Sequence, residues 1–399
     1  MVQALNILAS LFAVATVAAQ SSNQVQSYNL IEFGNVGFTG SYTNVKKISD
    51  AEKDSCSCTV GDRVWFSGDN APLNEALSVH FRGPLSLSKF AFYTSSSFTI
   101  NDSSSTSWSR EAYYDSTSQT AENVTFLTAA GDSSPCLGKA LTFASENGTG
   151  KADDSTILES SNLLASDEEV IIFSNVSCPK SGYDKGCGVY RSGIPAYYGF
   201  EGDTKMFLFE FTMPTATEKN SSSIDYYDMP AIWLLNDHIP RTAQYPSSSS
   251  SNCSCWASGC GEFDIFEVMN GTERNHLYST FHTFQGIEDL GTGIQAGGYI
   301  ARDTSATMKG GVLFDSSGNT VVFMSNDTVF DSSIDYDTIN TLISDIDDDE
   351  TYSTELATIS ATAPTSTSKS GAAIMIKPSA GTIRYLLLSA LMSVFNLMV

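Results

Sequence analysis

The sequence predicts an all-β sandwich or barrel, and three observations carry that expectation. Its apolar segments are short: Phe90 to Ile100, Glu168 to Phe173, Lys205 to Met213 and Gly311 to Met324 are rich in aromatic and β-branched residues. Gly, Ser, Asn and Asp clusters bound them, as turns require. No long stretch repeats its apolar residues every 3.6 positions, and no internal repeat of fixed period is visible. The chain's 399 residues suffice for a substantial core.

Composition narrows the function classes. Asp and Glu total 45 against 21 Lys and Arg, a net charge of −24. Phosphate recognition starts from clustered basic residues, so nucleic acid is excluded as the expected partner. Charged residues are 17% of the chain and hydrophobic ones 41%, which separates it from acidic disordered proteins.

Taken in chain order, residues 1–19 read as a signal peptide. Leu5, Ile7, Leu8, Leu11, Phe12 and Val14 form the apolar stretch, and Val17, Ala18 and Ala19 offer a cleavage site before Gln20. A buried first helix is the alternative, and the absence of Lys or Arg at the start weakens the signal reading slightly. Residues 20–80 are expected to form a small Cys-containing N-terminal domain around Gly34, Gly37, Gly40, Cys56 and Cys58, with its boundary between 60 and 85. Residues 81–335 hold the regular strand pattern. Residues 336–370 read as a solvated stalk, acidic at Asp345 and from Asp347 to Glu350, then Ser/Thr-rich. A calcium loop there would need a central Gly and a distal Glu, and the spacing has neither.

Residues 371–399 read as a GPI-attachment propeptide. Ser370, Gly371, Ala372 and Ala373 are small, a spacer with Lys377 and Arg384 follows, and residues 385–399 are an apolar tail. That tail is shorter than the about 20 residues a membrane-spanning helix needs, which favours the lipid anchor over a tail anchor. Ser370 or Gly371 is the expected attachment residue. Contact with a membrane is then expected through the lipid only.

Asn101, Asn123, Asn147, Asn175, Asn220, Asn252, Asn270 and Asn326 each open an Asn-X-Ser/Thr triplet, the acceptor signal of secreted glycoproteins. The cysteines are even in number: Cys56, Cys58, Cys136, Cys178, Cys187, Cys253, Cys255 and Cys260. In a secreted chain they read as disulfides. Cys178 and Cys187 suit a short loop; the other pairings stay open. No His lies at metal-ligand spacing from Cys253, Cys255 and Cys260, and no phosphate loop, nucleophile elbow or dinucleotide fingerprint is present. No metal, cofactor or protein partner is expected.

The chemistry concentrates at residues 261–269, GEFDIFEVM. Side chains of a strand alternate faces, so Glu262 and Asp264 share one face while Phe263 and Ile265 enter the core. Strict alternation would put Phe266 beside them; a β-bulge at Ile265-Phe266 returns Glu267 to the acidic face. Carboxylates so close repel, which lets one stay protonated as an acid while another stays anionic as a nucleophile. A retaining glycosidase needs that division, with its two working carboxyls about 5 to 5.5 Å apart. Glu262 and Glu267 are the pair and Asp264 the helper. An edge strand kept soluble by charge is the alternative reading of the same pattern.

These residues resemble the catalytic strand of glycoside hydrolase family 16, the retaining β-jelly-roll enzymes of β-glucans. Met229-Pro230-Ala231-Ile232-Trp233-Leu234-Leu235 resembles that family's W-P-A-x-W-L-L strand, with Met229 at its first Trp. The segment from Tyr278 to Thr283 resembles its post-catalytic strand, and Lys205 to Pro214 the strand preceding W-P-A-x-W. The whole chain is similar to a fungal, GPI-anchored cell-wall family of glycosyl hydrolases (TOS-like) acting on 1,3-β-glucan. The resemblance implies a β-jelly-roll sandwich with Glu262 as nucleophile, Asp264 as its helper and Glu267 as acid/base. Trp233 and His282 would line the sugar subsites. By themselves both also suit a core, and that choice stays open. The expected function is a secreted wall endo-1,3-β-glucanase or glucan-remodelling glycosidase. A non-catalytic glucan-binding or structural wall mannoprotein is the alternative.

Overall fold

A computed structural model describes residues 25–359. The signal segment, Ser370, Gly371 and the anchor tail lie outside the described residues. In chain order the principal strands are β1 (Leu30–Gly34), β2 (Gly40–Ser49), β3 (Ser57–Phe66), β4 (Leu77–Arg82), β5 (Ser86–Thr94), β6 (Trp108–Asp115), β7 (Thr125–Thr128) and β8 (Glu169–Phe173). They continue as β9 (Lys205–Thr212), β10 (Ala231–Asn236), β11 (Glu262–Glu267), β12 (His276–His282), β13 (Met308–Phe314), β14 (Thr320–Met324) and β15 (Thr351–Glu355). Helix α1 (His238–Thr242) follows β10, and α2 (Tyr336–Ser344) precedes β15.

These elements build the β-sandwich that the short alternating segments predict. One sheet of eleven strands runs β12, β11, β10, β4, β8, β7 through its middle; the other, of nine, runs β6, β5, β9, β13, β14, β1, β15. Between them lies the main core, with Val79 and Phe81 of β4, Ile232 and Leu234 of β10 and Phe263 of β11 facing Phe90, Phe207, Phe209, Val312 and Phe314. Removing such side chains from water is the dominant favourable term in folding. The expected segment from Gly311 to Met324 is a hairpin of two strands, because the Asp315 carboxylate accepts the Ser317 and Asn319 N–H groups, each at 2.8 Å, and turns the chain.

Two expected boundaries are corrected. Residues 20–80 are not a domain of their own: β1 lies between β14 and β15, with Phe33 in the main core, and β4 is central in the other sheet. An N-terminal strand that supplies core aromatics cannot leave the sandwich it fills. What does stand apart is the β2–β3 hairpin, whose strands pair only with each other.

Residues 336–355, expected to open the stalk, pack on the sandwich instead. The outer face of the nine-stranded sheet is apolar, with Tyr93, Leu208, Leu313 and Phe323, and α2 covers it with Ile339, Leu342 and Ile343. Positions i, i+3 and i+4 share one helix face, so a nine-residue helix can be acidic outside and apolar beneath. Beyond it β15 pairs in parallel with β1, Leu30 opposite Thr351. Asp345 and the acidic residues from Asp347 to Glu350 are exposed, as a solvated reading requires. Among the described residues no helix is long and apolar enough to cross a membrane.

Truncation after residue 335 is expected to expose this outer face and cause aggregation or loss of the folded state, whereas truncation after 359 leaves the melting temperature nearly unchanged. Ile339→Ala should cost about 2 to 4 kcal/mol by chemical denaturation. Equal stability of the two truncations would return residues 336–355 to the stalk.

Candidate active site

The candidate site is built on β11 and the outer face of the eleven-stranded sheet. Gly261 enters the strand at φ 110°, a conformation that side chains other than hydrogen resist. The bulge lies where alternation needs it: Ile232 pairs with Phe266 and Trp233 with Asp264, so Ile265 is the extra residue. Ile265 and Phe266 both enter the core, and Glu262, Asp264 and Glu267 share the outer face. Asp264 is buried, while Glu262 and Glu267 each keep partial exposure.

Each carboxylate has its own donor. Glu262 accepts the indole N–H of Trp256. Asp264 lies 2.8 Å from Nε2 of His282. Glu267 accepts from Arg82 Nη2 at 2.9 Å, and the Arg82 Nε donates to the Met229 carbonyl at 2.9 Å. A fourth carboxylate, Glu169 of β8, lies 2.7 Å from His80 Nδ1 and accepts from Gln244 at 2.8 Å and Tyr245 at 3.1 Å.

The two histidines of this face hold opposite charge states. His282 faces acceptors with both nitrogens, Asp264 on Nε2 and the Leu290 carbonyl on Nδ1. Burial alone would lower its pKa, but the Asp264 hydrogen bond and charge, with Glu262 beyond, raise it to about 10. It is therefore an imidazolium with Asp264 as counter-ion. His80 is buried, which lowers its pKa against the pull of Glu169. Neutral His80 donates from Nδ1 to Glu169 and accepts the Ser78 hydroxyl on Nε2 at 2.8 Å. Burial also raises the pKa of Glu262; the His282 charge and the Trp256 N–H oppose that rise.

Trp233 and His282 occupy places other than an open sugar platform. Trp233 is 5% exposed, stacked on His80 at 5.0 Å with Arg82 5.8 Å from its ring, and His282 is 7% exposed and spent on Asp264. Both support the carboxylate face from within. Arg82, His80, Glu169 and Trp256 were not singled out as site residues by the sequence. The alternation of Ser78, His80 and Arg82 with Leu77, Val79 and Phe81 does mark β4 as polar on one face.

The β2–β3 hairpin and the loop before β11 cover one part of this face. Phe38, Tyr42 and Phe66 pack on Trp233 and Leu235, and Ser258 donates to the Thr43 carbonyl. Disulfides Cys56–Cys136 and Cys58–Cys253 pin the hairpin near its tip; Cys255–Cys260 closes the loop that carries Trp256, and Cys178–Cys187 closes the short loop expected for it. Cys58, Cys136 and Cys253 are close enough to hold a metal, but all three are in disulfides. Of the sequon asparagines all but Asn123 are exposed; Asn123 is half-buried and donates to the Glu111 carbonyl at 3.0 Å.

Comparison with known proteins matches residues 106–342 to the family model "Cell wall protein YJL171C/Tos1, C-terminal" and residues 29–95 to its N-terminal counterpart. A Saccharomyces cerevisiae protein named "Probable circularly permuted 1,3-beta-glucanase YJL171C" is 64% identical over 97% of this chain and 97% of its own length. A Candida albicans protein named "Probable circularly permuted 1,3-beta-glucanase PGA52" is 54% identical over 94% of this chain and 96% of its own. A second S. cerevisiae relative, "Probable circularly permuted 1,3-beta-glucanase TOS1", is 31% identical over 79% of this chain and 90% of its own. No solved structure matches the chain.

The ion pair of His282 gives a pH signature. Its folded pKa of about 10 lies above the about 6.5 of an unfolded histidine, so its stabilisation is fully present below about pH 6.5 and is lost as pH rises through about 10. His282→Ala should lower stability by about 3 kcal/mol or more at pH 6, with the gap to the parent narrowing toward pH 10 in denaturant titrations. A gap independent of pH would remove the charge from His282.

Proposed function

The chain belongs to the YJL171C/Tos1 family of cell wall proteins, and from that premise we propose that it is a retaining glycosidase of 1,3-β-glucan. The observation that carries the reading is the exposure pattern along β11. Two partly exposed carboxyls, Glu262 and Glu267, flank a buried Asp264, and every one of the three has a dedicated partner.

In this reading a Glu262 oxygen attacks the anomeric carbon while Glu267 passes its proton to the glycosidic oxygen, and the leaving glucan departs with a new hydroxyl. Burial raises the pKa of Glu262, and the Trp256 N–H and the His282 charge oppose that rise in support of the anion that attack requires. Asp264 holds His282 in place beneath it, and Arg82 binds one oxygen of Glu267, Oε1, so that the proton Glu267 passes on sits on the other. Glu267 then takes a proton from the incoming water, or from a sugar hydroxyl, as that oxygen displaces Glu262. Water gives hydrolysis and a sugar gives transfer to a second glucan chain.

We further place the protein on the outer side of the plasma membrane and in the wall, secreted by residues 1–19 and held by a GPI lipid at Ser370 or Gly371. The description of the matching family as cell wall proteins supports the wall, and the order of small residues, spacer and apolar segment supports the anchor.

Glu262→Gln and Glu267→Gln should each lower release of reducing ends from 1,3-β-glucan by at least about 10²-fold, with retained glucan binding. Proton NMR of the first product should find the β anomer. Equal activity of parent and Glu262→Gln would overturn the assignment; glucan binding without turnover in the parent would mark a non-catalytic wall protein.

A further inference from the structure

Four residues on adjacent strands form one lateral row: Glu267 of β11 pairs with Ala231 of β10, Ala231 with Arg82 of β4, and Arg82 with Glu169 of β8. At about 4.8 Å between strands the row extends about 14 Å from the proposed acid/base toward β8. Ala231 is its only small member, and the Arg82 guanidinium reaches across it to Glu267. Two tyrosines stand over the row. Tyr226 is 43% exposed with Arg82 4.2 Å from its ring, and Tyr245 is 58% exposed with its hydroxyl on Glu169.

Both are held in place although exposed. The backbone N–H of Tyr226 donates to Asp167 at 2.7 Å, as does that of Asp225 at 2.8 Å. Tyr245 is tied at its hydroxyl to Glu169, which also receives Gln244 and is oriented from below by neutral His80. Half-exposed aromatic rings held beside a carboxylate and an amide suit a ligand with a flat C–H face and a rim of hydroxyls. A glucose ring has that chemistry, and the row leads directly from Glu267.

We propose that Tyr226, Tyr245, Gln244 and Glu169 form a glucan-binding subsite to one side of the catalytic strand. The tyrosines take the C–H faces of successive sugar rings, and Glu169 with Gln244 takes their hydroxyls. The subsite rests on the glycosidase reading. It makes chain length a determinant of affinity: oligosaccharides too short to reach β8 gain nothing from it.

The test compares parent, Tyr226→Ala, Tyr245→Ala and Tyr245→Phe on 1,3-β-gluco-oligosaccharides of increasing length, with thermal melting as a check on folding. Each alanine variant should raise KM for long oligosaccharides about three- to tenfold, more than for short ones, and so flatten the dependence on length. Tyr245→Phe, which keeps the ring, should recover most of the loss. The same substitutions in a Glu262→Gln background should weaken titrated glucan binding by the same factor. Unchanged KM and binding of long oligosaccharides in a folded, cleaving protein would overturn the subsite alone. Absence of both cleavage and binding in the parent would overturn the glycosidase reading and the subsite with it.

Discussion

The site depends on one electrostatic constraint: four carboxylates share one sheet face, three of them within six residues of a single strand, and none can be buried without a donor. An isolated buried charge costs far more than one interaction returns. The fold answers with four different donors, an indole on Glu262, an imidazolium on Asp264, a guanidinium on Glu267 and a neutral imidazole on Glu169. They come from the loop before β11 and from β12 and β4. The sheet order thus brings charged partners together on this face and apolar side chains together on the other. The donors also differ in kind, and each of these four serves a single carboxylate of the face.

The cover over this face solves a second problem. Trp256 must be held against Glu262 from a Ser-rich stretch with little apolar weight of its own. The Cys255–Cys260 bridge restricts that loop, while the hairpin and its two disulfides press on it from above. Covalent clamps make up there for what a small core cannot supply. The hairpin is the part of the N-terminal segment that does stand outside the sandwich, and its place over Trp233 and Leu235 explains why both are shielded from solvent.

Much of this was legible in the sequence, and the remainder was hidden for definable reasons. The acidic face of β11 could be read because its cues are local: alternation, then one extra residue that restores Glu267. Arg82 and Glu169 are separated from that strand by long sequence intervals, and only the order β11, β10, β4, β8 brings them beside it. The helix from Tyr336 to Ser344 was masked by its own acidic surface, since Asp335, Asp337 and Asp345 dominate the composition while Ile339, Leu342 and Ile343 carry the packing. Among the cysteines only the Cys178–Cys187 loop was short and isolated enough to suggest its partner. Trp233 and His282 were expected to line sugar subsites, and their burial follows from what lies above and beside them, which a linear reading does not contain.

The place of β1 has a consequence for biosynthesis. Its neighbours, β14 and β15, are among the last strands to be made, and Leu30 is paired with both Phe323 and Thr351. A nascent chain therefore carries its first core strand unpaired until nearly the whole sequence has emerged. Contacts this distant close slowly, and an open apolar strand is exposed to wrong partners in the interval. Completion of the nine-stranded sheet thus waits for the last strands to be made.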